Sequence, residues 1–290
     1  MSLLFSKLCW RLEKVSENYE GVIGIAIKDL MNGESFMING DEIFPVASTI
    51  KVPILIEFYK RVEEGKLNPV KPVRYEEAQR VSGSGIIKTL TAGVVTMPMI
   101  DYATLMINVS DNSSTNYLID LLGMDKINST ISELGLRETR LARKMMDIEA
   151  FRAGKDSFTT PRELVILFEE LHKSAKLSRF VCEETLKMLK KPKEGIVQGV
   201  IRNAVPDLVE VADKSGWVDG ATLDARIVYQ QGRPYIVALL AKHIPISDLH
   251  MVGTLSTLTE AARFIHSYFN EVSTSTPQGR RSLEGVEFIT

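Results

Sequence analysis

The sequence predicts an α/β protein of the α+β type: a five-stranded antiparallel sheet built from both ends of the chain, flanked by helices and carrying an inserted all-α subdomain. Three observations predict it. Strand-like runs lie at both ends, helical periodicity fills the middle, and a long amphipathic stretch follows the last strand. Residues 1–65 together with 205–272 form one discontinuous α/β subdomain on this reading, 66–204 an all-α subdomain, and 273–290 a polar, patternless tail expected to be flexible.

The first ten residues include Leu3, Leu4, Phe5 and Leu8 and read as an amphipathic helix. Charged residues follow at once and no small-residue cleavage site appears, so the stretch does not read as a secretory leader. Residues 21–30 are rich in Val and Ile, Asn32-Gly33 supplies a tight turn, and 34–39 return as a second strand. Residues 48–64 are apolar on nearly every face, with Pro53 early and Gly65 just beyond, the pattern of a buried central helix. Helical patterns recur at 101–109, 114–122, 126–134 and 161–172. Runs at 208–214, 223–230 and 234–242 predict an antiparallel meander, closed by a helix over 255–269.

Composition narrows the function. With 290 residues, 44% of them hydrophobic, the chain is long enough for one large core or two packed subdomains. A formal net charge of −2 gives no field favouring nucleic acid or an anionic membrane surface, so a small molecule is the expected partner. No apolar run is long enough to span a bilayer. Cys9 and Cys182 lack metal-ligand spacing, the four histidines do not cluster, and whether the two thiols pair stays open.

Three short motifs carry the chemistry. Ser48-Thr49-Ile50-Lys51 opens the most hydrophobic helix, where residues three apart share a face and an amine of lowered pKa can take a hydroxyl proton. The helix start also offers free N–H groups to a developing negative charge. Ser110-Asp111-Asn112 lies between two helical runs, and Lys214-Ser215-Gly216 ends a strand-like segment ahead of Trp217. Each alone is as readily a cap or a strand end. Their order and spacing together are the stronger signal.

In that order the motifs resemble those of the serine β-lactamase and penicillin-binding protein superfamily, with S-D-N pointing to class A, and the likeness extends through 21–66, 105–123, 159–164 and 211–242. The resemblance implies that Ser48 is the nucleophile of an acyl-enzyme and that Lys51 helps take its proton. It implies that Ser110 relays a proton to the leaving nitrogen, and that the backbone N–H groups of Ser48 and Trp217 form the oxyanion hole. Asn112 would hold a substrate amide, Lys214 and Ser215 beside Gly216 the substrate carboxylate, and Arg226 is a candidate second carboxylate anchor. The implied activity is hydrolysis of β-lactams, and with it antibiotic resistance. The implied substrate is a β-lactam or peptide-like molecule, with no cofactor and a monomeric chain. A D-alanyl peptidase or another amide or ester hydrolase is the alternative, and a non-hydrolytic sensor a third.

The sequence departs from the family where class A enzymes carry a glutamate that activates the deacylating water. In residues 140–149 Met145 takes the glutamate position and Glu149 that of an asparagine, leaving Glu149 or Asp147 as atypical bases or as loop ion-pair partners. The loop between Arg143 and Asp156 is short, and Trp217 adds a large ring where the family has a small residue.

Overall fold

Alternation along the strands decides how the sheet is covered. A computed structural model describes residues 2–193, 195–248 and 251–273, with the backbone of 275–276 and 279–280. Its sheet contains β1 (Val22–Asp29), β2 (Ser35–Ile38), β3 (Val211–Val218), β4 (Ala221–Val228) and β5 (Tyr235–Lys242). Their order is β2-β1-β5-β4-β3, every neighbour antiparallel, so the first and last parts of the chain build one sheet as expected. In the β1–β2 turn, Gly33 takes a positive φ and the Asp29 carboxylate accepts the amides of Met31 and Asn32.

Successive strand residues serve opposite cores. Ile23, Ile25, Ile27, Tyr235, Val237 and Leu239 pack against α1 (Leu3–Glu17) and α9 (Val252–Ser273), where Tyr235 stacks on Phe269 at 4.0 Å. Ala26, Leu223, Ala225, Ile236, Ala238 and Leu240 belong to the other core, shared with α2 (Lys51–Glu63), α7 (Pro161–Lys173) and α8 (Arg179–Leu189). Every residue of α2 from Lys51 to Tyr59 is buried, which makes it the central helix. Each of its fully buried Ile, Leu and Phe side chains is stabilising by roughly 1.5–3 kcal/mol.

The middle of the chain supplies α3 (Met99–Asn108), α4 (Asn112–Leu122), α5 (Met124–Glu133) and α6 (Ile148–Arg152) before α7 and α8. Helix α8 has no counterpart in the sequence expectations. Its buried stripe of Val181, Cys182, Thr185, Met188 and Leu189 is interrupted by a threonine and by Glu183, Glu184 and Lys187, which dilutes the apolar period. The first late strand begins at Val211 instead of 208 and runs past the K-S-G triplet to Val218, so that triplet lies inside the strand.

After α8, whose Leu189 belongs to the α2 core, the chain rounds the edge strand β3 and delivers Val200, Ile201 and Val205 to the α1/α9 core. Cys9 and Cys182 are free, buried and in different cores. Among the described residues no helix is long and apolar enough to cross a membrane. Most of the expected tail, from 281 on, lies outside the described residues, while 275–276 and 279–280 pair as a short ribbon.

Candidate active site

Ser48 sits in a single 3₁₀ turn, Ala47–Ile50, that runs into α2. The turn is anchored upstream by Phe44–Pro45, which pairs antiparallel with Phe158–Thr159, and by the Val46 amide donating to Ser157 O at 2.9 Å. Ala47 adopts φ +45°, a left-handed conformation that costs a non-glycine residue on the order of 1–3 kcal/mol and recurs at functional sites. Against this turn lies Gly216 of β3, so close that a Cβ there would come within 2.7 Å of Ser48 N and 2.9 Å of Ala47 Cβ. Only glycine lets the strand approach the Ser48 backbone this closely.

Lys51 is fully buried, and its Nζ donates to Ser110 O at 2.7 Å, Ser110 Oγ at 2.9 Å and Asn112 Oδ1 at 3.2 Å. Lys214, equally buried, donates to Ser215 O at 2.8 Å and to Ser110 Oγ at 3.3 Å. The Ser110 hydroxyl is thus gripped by two amines, and Ser110 too is held at positive φ, +53°. Ser48 and Lys51 lie together where the turn runs into α2, but the Lys51 Nζ donors go to Ser110 and Asn112. Ser48 and Ser110 nevertheless line one pocket.

Burial, and next the neighbouring Lys214, hold Lys51 well below the ordinary lysine range, with Asp111 opposing. Burial and the charge of Lys193 lower Lys214 to about 7 against the opposing pull of Asp213 and Asp224. Two adjacent amines that resist protonation have the electronic character a proton acceptor for a serine requires.

The S-D-N segment is fixed by its own side chains. Asp111 caps α4 by accepting the Ser114 amide at 2.8 Å and also accepts the Ile87 amide at 2.8 Å. The Asn112 side-chain amide donates to Ser82 O at 3.1 Å and its backbone N–H to Ser84 O at 3.0 Å. Asn112 therefore ties Lys51 to the 82–85 loop and is not itself among the pocket-lining residues, whereas Ser84 is. Ser215 and Gly216 line the pocket, and half-exposed Trp217 rims it, its indole N–H 3.0 Å from Met251 Sδ.

Three expected residues, Arg226, Glu149 and Asp147, are not among the residues that line this pocket. Arg226 is fully buried and does not reach the pocket. Its guanidinium is engaged by Asp224 and by the carbonyl of Gln198. Glu149 is exposed on α6, and Asp147 caps the same helix by accepting the Ala150 amide at 2.9 Å, so neither carboxylate lines the pocket. Met145, which the ungapped reading of the sequence sets at the family's glutamate position, is partly buried against the core. The Asn116 side chain clamps its backbone, accepting Met145 N–H at 2.8 Å and donating to Met145 O at 3.0 Å.

Sequence reasoning missed the rest of the lining: Val197 to Val200 with Asn203, and Thr222, Met251 and Leu255. Neither the Ser82-Gly83-Ser84-Gly85 stretch nor residues 197–203 carried a motif to set them beside Ser48. Among the described residues no group of three His, Cys, Asp or Glu side chains is placed to hold a metal ion.

Comparison with known proteins identifies the family and the fold. The chain is 28% identical to beta-lactamase CARB-3 of Pseudomonas aeruginosa over 197 residues, 67% of each chain. It is 26% identical to beta-lactamase SME-1 of Serratia marcescens over 259 residues, 87% of this chain and 86% of the relative. The crystal structure of a beta-lactamase from Sphaerobacter thermophilus superposes with a TM-score of 0.80 at 26% identity, over 91% of this chain and 97% of that one. The sequence pattern of the Beta-lactamase enzyme family matches residues 7–268, and the chain belongs to that family.

Proposed function

We propose that this class A-like serine hydrolase opens β-lactams by acylation of Ser48 and that its acyl-enzyme is released slowly. The observation that carries the reading is the pair of buried lysines converging on Ser110 in the pocket that Ser48 lines. Lys51, held toward its neutral form, accepts the Ser48 proton as Oγ attacks the lactam carbonyl, and the proton reaches the departing nitrogen through Ser110 Oγ. The Ser48 and Trp217 amides stabilise the oxyanion, and the remaining charge on Lys214 attracts the substrate carboxylate.

The lining supports slow release: among the described residues that line the pocket there is no aspartate or glutamate to serve as an adjacent base for a water near the acyl carbon. Of the two acids in the loop, Asp147 is committed to capping, which leaves Glu149 as the residue for a turnover route. Replacement of the family's glutamate by Met145 also favours a second reading, a peptidase acting on D-alanyl-D-alanine ends, for which a long-lived penicillin adduct is the usual counterpart.

Intact-protein mass spectrometry after exposure to penicillin G tests the reading. A stoichiometric, long-lived adduct is expected on the wild type and none on Ser48→Ala. A slower loss of the adduct in Glu149→Gln would identify the base. An adduct on Ser48→Ala, or none on the wild type, would overturn the assignment of Ser48.

A further inference from the structure

Segment 197–203 forms one wall of the pocket, through Val197, Gln198, Gly199, Val200 and Asn203. Three side chains of the sheet hold its backbone. Ser215 Oγ donates to Val197 O at 2.8 Å, the Arg226 guanidinium donates to Gln198 O, and Asp224 Oδ2 accepts the Ile201 amide at 2.8 Å. Asp224 and Arg226 are two apart on β4 and share a face, joined through Nε at 3.0 Å and Nη2 at 2.7 Å. Gly199 lies against the pair at φ +70°, and a Cβ there would meet Asp224 Oδ2 at 2.3 Å and Arg226 Nη2 at 2.9 Å.

A fully buried ion pair seldom stabilises a fold more than apolar side chains of similar volume would. Here each partner spends its second hydrogen bond on the same short segment, so the pair's effect falls on the position of that segment. We infer that the Asp224–Arg226 pair is a bracket that fixes the 197–203 wall beside Ser48 and thereby selects which acyl donors fit the pocket. Both are positioning residues, since neither lines the pocket. The selectivity half of this inference rests on the acyl-enzyme reading above, while the bracket itself does not.

The test uses the full chain and two readouts. Hydrogen exchange in 197–203 is independent of chemistry at Ser48. Asp224→Asn and Gly199→Ala should accelerate it at least about tenfold relative to the amides of β5, since each loosens the hold on Ile201 N–H or on the segment itself. Acylation is then followed with penicillin G, a bulky donor, and with p-nitrophenyl acetate, a small one. The ratio of their second-order rate constants should fall at least about tenfold in Asp224→Asn, less in Arg226→Lys, because misplacement by an ångström is costly only for a donor the wall touches. Unchanged exchange overturns the bracket, and an unchanged ratio overturns its role in selectivity. Absence of any Ser48 adduct in the wild type would instead sink the acyl-enzyme reading and leave the exchange result to decide the bracket. Should the charge variants fail to fold, Gly199→Ala, which keeps both charges, answers both questions.

Discussion

Adding one carbon at Gly216 tests the contact between β3 and the Ser48 turn most directly. The Cβ of Gly216→Ala would lie 2.7 Å from Ser48 N, and ordinary contact begins at 3.4 Å, so strand and turn must separate by about 0.7 Å. The obstacle is backbone on one side and the short Ala47 methyl on the other, neither of which can swing aside. That separation moves Trp217 N–H away from Ser48 N–H, the two donors assigned to the oxyanion. Loss of one such donor costs about 10²–10³ in rate, and an ångström of misplacement about 10². The acylation rate constant for penicillin G, followed by rapid quench and mass spectrometry, should therefore fall about 100-fold. The dissociation constant of the preceding complex should change far less, since donors used only in the transition state do not hold the ground state. Acylation within about threefold of wild type would refute the idea that this approach builds the oxyanion site.

Further expectations concern the loop, the lysines, a clamp and the thiols. Met145→Glu restores a carboxylate on backbone already clamped by Asn116, and adduct lifetime should shorten by about 10², the usual scale of base catalysis; an unchanged lifetime argues against the position. Burial depresses Lys214 to about 7 in the folded chain, so the unfolded chain binds more protons between there and the ordinary lysine range. Unfolding free energy should thus rise with pH across that window, by up to about 1.4 kcal/mol per pH unit, with Lys51 contributing in the same sense. Urea titrations of Lys214→Met should show a shallower rise. Glu163 accepts the amides of Arg137, Glu138 and Thr139 and the Thr139 hydroxyl. Glu163→Ala should cost about 3 kcal/mol by leaving those donors unpaired, read as a fall in Tm of roughly 5–10 °C. Because Cys9 and Cys182 are free and buried in separate cores, dithiothreitol should leave Tm unchanged, and thiol reagents should label the native chain slowly.

How much of this was legible follows from which residues interact locally. The hairpin at Asn32-Gly33, the buried helix after Ser48 and the late meander depend on period and turn chemistry, and each was read within a few residues of its place. Ser48, Lys51, Ser110 and Lys214 were legible as candidates because three motifs in fixed order mark them. What they touch was not, since Lys51 meets Ser110 across 59 positions and Lys214 meets it across 104. Arg226 shows why residue type misleads: an arginine near a binding strand suits a carboxylate anchor, but Asp224, two positions earlier, claims it. The same limit hid the 197–203 wall, whose partners at Ser215, Asp224 and Arg226 come from strands later in the chain.

Strand β3 is the last of the sheet on its side, and the open flank of such a strand is where a stray peptide or a second molecule would pair. In this protein the turn that carries Ser48 and the segment held by Ser215 and Asp224 lie against that strand. The candidate site and the cover of the sheet's edge are consequently one assembly. A substitution that loosens either piece would also bare backbone donors and acceptors along the edge.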